Sequence, residues 1–146
     1  MPRKFTLQEA EALLPELERT IRRAVAIKAE YIEAESKLTS VNRRIAMSGG
    51  ALVNREEMVS IKSRRDEGAA RLKEAIEKVH EFGCEIKDLD IGLVDFPTGY
   101  RGEVVCLCWK LGETAIRYWH RIEEGFRGRK RIDQEFIENH KGDSPD

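Results

Sequence analysis

A chain of 146 residues is one domain by size, with room for a single modest core. Hydrophobic residues make up 40% and charged residues 36%, a charge share above the usual quarter and typical of long solvent-exposed helices. Lysine plus arginine number 26 against 27 acidic residues, and the resulting net charge of −1 gives no global reason to bind nucleic acid or an anionic membrane.

The apolar runs, such as Val104 to Cys108, are far too short to span a bilayer. Met1 to Phe5 is not followed by an apolar signal-peptide region, so the expectation is a protein that stays in the cytoplasm. Three cysteines, an odd number, read there as reduced thiols.

Thr6 followed by Glu9 is a capping-box pattern, which starts a helix at Leu7. Leu13, Leu14, Leu17, Ile21, Ala24, Val25, Lys28, Tyr31, Ile32, Leu38, Val41 and Ile45 then recur at three- and four-residue steps. Pro15 lacks an amide donor and clashes with the preceding turn, which predicts a kink or break near Leu14. Ser48-Gly49-Gly50 ends the helix at Met47. Asn54 with Glu57 caps a second helix, with Val53 packing on Met58 as a hydrophobic staple. Its stripe is Met58, Ile61, Arg65, Ala69, Leu72, Ile76 and Val79, closed by Phe82-Gly83. The short loop makes residues 5–83 an antiparallel, coiled-coil-like hairpin. At 1.5 Å per residue the helices reach roughly 60 Å and 40 Å, so the N-terminal third of the first overhangs its partner.

From Cys84 to Ile132, glycine, aromatic and β-branched residues replace the charged helical repeat. Glu85 to Asp88, Gly92 to Phe96 and Glu103 to Trp109 read as strands, and Pro97 to Gly102 as a turn. The last strand is apolar on both faces and therefore central. Ile116 to Ile122 is either a strand or a short helix. Residues 133–146 read as a polar tail with one helical turn at Phe136-Ile137 and a frayed end from Gly142 to Asp146. The fold class is α+β: a long antiparallel helical hairpin followed by a three- or four-stranded antiparallel sheet packed on the overhanging helix end.

FTLQEAEALLPEL at Phe5 to Leu17, KDLDIGLVDFP at Lys87 to Pro97, and LCWKLGE, YWH and GFRGR between Leu107 and Arg129 resemble a bacterial family catalogued as domain of unknown function 2203. The resemblance covers most of the chain. It implies a helical hairpin with a small sheet and carries over no activity.

The chemistry-bearing residues lie between Cys84 and Arg131. Cys84, Cys106, Cys108 and His120 form a possible zinc set. Against it, C-x-C on an apolar strand is not a C-x2-C knuckle, and buried cysteine is common core material. The reading adopted is therefore no metal and no cofactor. Asp95, Glu113 and His120 are the acid–base candidates, with His120, Arg127 or Arg129 as partners for a half-buried Asp95. Arg127 to Arg131 is the one dense basic run, a candidate for phosphate or RNA that Glu123 and Glu124 partly cancel, and Arg127 and Arg129 are its anion-binding candidates. Trp109, Tyr118 and Trp119 read as sheet core in preference to an exposed platform. Two helices hide only a narrow strip each, which predicts a homodimer through the hairpins or an edge strand. The leading expectation is a non-catalytic cytoplasmic interaction or scaffold module. The alternatives are an enzyme using Asp95, Glu113 and His120, or an anion binder using Arg127 to Arg131.

Overall fold

The computed structural model describes residues 3–51 and 54–143. Helix α1 spans Leu7–Met47 and opens with the predicted capping box: Thr6 Oγ1 accepts from the Glu9 amide at 3.1 Å, and Glu9 Oε1 accepts from the Thr6 amide at 2.9 Å. The expected break at Pro15 does not occur, and the helix runs through it. A mid-helix proline costs ~3 kcal/mol or more, but Ala10 and Leu17, both fully buried, anchor the turns on either side. Helix α2 spans Arg55–Glu81, with Asn54 Oδ1 accepting from the Glu57 amide at 3.1 Å. Val53, and with it the predicted staple onto Met58, lies outside the described residues.

The two helices form the hairpin, but its seam is rotated from the expected stripe. On α2 the buried positions fall at Ile61, Gly68 and Ala75, seven residues apart, with Val79 beyond, and on α1 they include Ile27, Ala34, Leu38 and Val41. Ile32 is 54% exposed and Ala69 faces solvent. Small residues win the seam because they let the helices approach closely: a Cβ on Gly68 would sit 3.6 Å from Tyr31 Cβ. A sequence reading that rewards size therefore chooses the neighbouring position.

Among the described residues the sheet has six strands, more than expected: β1 Glu85–Asp88, β2 Leu93–Tyr100, β3 Glu103–Lys110, β4 Tyr118–Arg121, β5 Lys130–Arg131 and β6 His140–Lys141. Their order is β1-β2-β3-β4-β5, all antiparallel, with β6 also pairing on β2. The two added strands have two residues each, too short for any periodicity to reveal. Ile116 to Ile122 resolves as a strand, and Glu103 to Lys110 is central as expected, flanked by β2 and β4.

The predicted turn at Pro97 to Gly102 is corrected: β2 continues through Pro97 and the chain reverses at Arg101-Gly102. On its outer edge β2 pairs β1 through Asp95 and β6 from Gly99, and Pro97 falls in the gap between them. A proline needs no donor partner there, and its carbonyl accepts from the Phe5 amide at 2.7 Å. Arg101 at φ 52 and Gly102 at φ 82 make the two-residue reversal, whose primed turn requires positive φ at both central residues.

The expected helical turn at Phe136-Ile137 is present, but the tail packs onto the rest of the molecule. Helix α3, Gln134–Asn139, buries Phe136 completely, and Asp143 bonds to Lys4 through its amide at 3.1 Å. Residues 144–146 lie outside the described residues. One sheet face, with Val94, Phe96, Leu107, Trp109 and Trp119, packs on Phe5, Leu17, Ile21 and Val79, so the sheet covers the overhanging end of α1 as expected. A second, smaller cluster of Leu38, Val41 and Ile61 closes the far end of the hairpin.

Candidate functional site

Side chains alternate across a strand, so the register that buries Phe96, Leu107 and Trp119 turns Asp95, Cys106, Cys108 and His120 to the opposite face. Asp95 lies across from Cys108, and Cys106 across from His120. Three adjacent strands thus place a carboxylate, two thiols and an imidazole together. Asp95 and His120 are each 2% exposed, far more buried than the half-buried aspartate expected.

His120 Nε2 lies 2.9 Å from Asp95 Oδ1, and its Nδ1 lies 2.7 Å from the Arg121 carbonyl. A carbonyl oxygen only accepts, so Nδ1 carries a proton and donates. Nε2 then also faces an acceptor. The Asp95 hydrogen bond, opposed by burial and helped by the Arg121 carbonyl, pushes the His120 pKa up. Among the described residues nothing partners the buried Asp95 Oδ2. Burial, reinforced by the Asp95 carboxylate both as a charge and as a hydrogen-bond acceptor facing the thiols, pushes the Cys106 and Cys108 thiols up to about 12. One donor atom from each of Asp95, Cys106 and His120 lies within 4.8 Å of the other two.

The predicted acid–base trio does not converge. Glu113 Oε1 accepts from the Lys110 amide at 2.7 Å, and Arg129 Nη2 donates to both Glu113 carboxylate oxygens at 2.6 and 2.8 Å. The Arg129 guanidinium lies over the Tyr118 ring at 4.0 Å and the Phe126 ring at 5.0 Å, with its side chain only 11% exposed. This ion pair is separate from the Asp95–His120 pair. Nor does the basic run stay free. Lys130 pairs with Glu124 at 2.5 Å, leaving Arg127 and Arg131 as the exposed cations of the run. Cys84 is remote from the cluster in kind: it belongs to the helix–sheet core and donates its thiol to the Val79 carbonyl at 3.5 Å. Trp109 is a core residue, with Nε1 donating to the Glu113 carbonyl at 2.9 Å.

A family described as an uncharacterized conserved protein, DUF2203, matches residues 3–132. The chain belongs to the DUF2203 family. No curated protein and no solved structure matches it. The DUF2203 match takes in both helices of the hairpin and the whole Asp95, Cys106, Cys108 and His120 cluster, whereas α3 and β6 lie beyond it.

The closeness of the Cys106 and Cys108 thiols to Asp95 is what residue-level reading missed. Its signal is register: a two-residue turn after Tyr100 pairs Glu103 with Tyr100 and, counting back, Cys108 with Asp95.

Proposed function

We propose that this DUF2203 chain is a non-catalytic cytoplasmic interaction module that works as a homodimer through its helical hairpin. The observation that carries this reading is an open groove of about 520 Å³ on the hairpin flank, where Tyr31, Ala69, Leu72 and Ile76 present apolar surface between Lys73, Glu77 and His80. Apolar side chains on a helix outside its intramolecular seam favour a second helix as cover. Lys73 and Glu77 stand one turn apart, 4.0 Å from each other. In a two-fold antiparallel pairing the lysine of one copy meets the glutamate of the other, so the patch is self-complementary. Two ~40 Å hairpins laid side by side are long enough for the ~1,200 Å² or more that a stable interface buries.

Two further facts support the non-catalytic and cytoplasmic parts of the reading. Asp95 and His120 are too enclosed to meet a substrate. All three cysteines are free and buried, as suits a reducing compartment. Light scattering at micromolar concentration should give twice the chain mass, and Leu72→Glu with Ile76→Glu should return the mass of one chain with unchanged circular dichroism. A single-chain mass for the unaltered protein would end the dimer reading.

A further inference from the structure

The Asp95, Cys106 and His120 cluster has a polar imbalance that protein atoms leave unresolved. Both ring nitrogens of His120 face acceptors, the Arg121 carbonyl and Asp95 Oδ1, while Asp95 Oδ2 is buried without a partner among the described residues. With protein atoms alone, the second Asp95 oxygen stays desolvated and unpaired, which is costly.

We infer that Asp95, Cys106 and His120 form a site for a divalent, borderline-soft cation, zinc being the metal that fits the donor set. One donor from each of the three residues lies within 4.8 Å of the others, and they come from three neighbouring strands, β2, β3 and β4. The Nδ1–H of His120 on a backbone carbonyl is the arrangement that fixes the tautomer of a metal-bound histidine and turns the Nε2 lone pair towards the ion. Metal–ligand distances of ~2.0–2.3 Å need the 2.9 Å contact between Nε2 and Oδ1 to open by only a few tenths of an ångström.

Charge decides in the same direction. A dication with the Asp95 carboxylate and a Cys106 thiolate sums to zero, which suits residues of 2% and 7% exposure. Binding displaces the proton held between Nε2 and Asp95 Oδ1 together with the Cys106 thiol proton, both going to solvent, and no electrons move. Cys108 is fully buried on the same face and lies across from Asp95, but the donors that fall within 4.8 Å of one another are those of Asp95, Cys106 and His120. The ion would staple the three central strands on the face away from α1. This inference stands apart from the dimer reading, because the groove and the cluster share no residue.

The test uses tag-free full-length protein purified without chelator. Elemental analysis should find about one zinc per chain, and chelation should lower the melting temperature of the unaltered protein. Cobalt added to the chelated protein should give thiolate-to-cobalt absorption with tetrahedral visible bands. Cys106→Ala should weaken cobalt binding by at least about tenfold, while Cys84→Ala should leave it unchanged. Absence of zinc together with absence of a thiolate–cobalt band in folded protein would overturn the inference. So would equal cobalt affinity in Cys106→Ala and unaltered protein, since the metal would then sit elsewhere. The chelation melt needs no variant and decides the matter even if Cys106→Ala fails to fold.

Discussion

The two ends of α1 live in different environments. Near its N-terminus the helix is one wall of a three-dimensional core, where Phe5, Phe96 and Phe136 are fully buried, Phe5 meets Phe96 edge-on at 5.4 Å, and Trp119 stacks on Phe136 at 4.9 Å. Beyond Tyr31 the same helix has one neighbour, and its buried side chains are Ala34, Leu38 and Val41, none larger than leucine. Around that far seam the ties are exposed ion pairs, Arg44 to Glu57 at 3.3 Å and Arg65 to Glu35 at 3.6 Å. Such pairs contribute about 0–1 kcal/mol each. The difference teaches that helix length and helix stability are separate properties here: cover, not propensity, sets the gradient along α1.

Substitutions at the two ends should separate in size and in reach. Trp109→Ala removes a fully buried indole that also donates to the Glu113 carbonyl, and should cost about 3–5 kcal/mol in urea unfolding, spread over the whole molecule. Leu38→Ala should cost about 2 kcal/mol, the low end for leucine because a two-helix seam can close on the gap. Hydrogen exchange should then speed up in residues 34–64 and hardly at all in the sheet. Uniform acceleration across both ends would break the comparison, because it would make the arm and the sheet one cooperative unit.

The junction between the ends offers the smallest effect. Burial pushes the Cys84 thiol from 9.0 up to about 12. A folded pKa raised above the unfolded one means the contribution is whole below pH 9.0 and is lost as pH climbs towards 12, since unfolded thiols ionise first. Cys84→Ala should therefore lessen the alkaline fall in urea midpoint while leaving the other two buried thiols to maintain part of it. Identical slopes in the two proteins would mean that Cys84 is not desolvated as its place in the core requires.

The capping box, the hairpin and the central strand were legible because each is set by residues close in sequence. What stayed hidden depended on pairing at a distance. Arg101 adopts positive φ, which only a few per cent of non-glycine residues do, so the reversal lacked the Asn-Gly or Asp-Gly signal that marks two-residue turns. Reading Pro97 as a turn residue shortened β2 and removed the count that aligns Asp95 with Cys108. The pairing of Asp95 with His120 was among the expected partnerships, whereas Glu113 was misgrouped because its proximity in sequence concealed a guanidinium sixteen positions onward. Phe136 looked like an isolated apolar residue in a polar tail, and nothing local announces that it fills the gap beside Trp119.

Lys4 and Asp143 bond each other twice, amide to carbonyl at 3.1 Å and amide to carboxylate at 3.1 Å, and the Leu7 amide donates to His140 Nε2 at 2.9 Å. The first and last described segments therefore meet beside the sheet. A short linker from residue 143 to residue 3, with new ends cut between Gly49 and Gly50 at the solvent-exposed hairpin tip, would be a circular permutant that keeps every strand pairing and every helix intact. The order in which this chain is strung is thus separable from the shape it reaches.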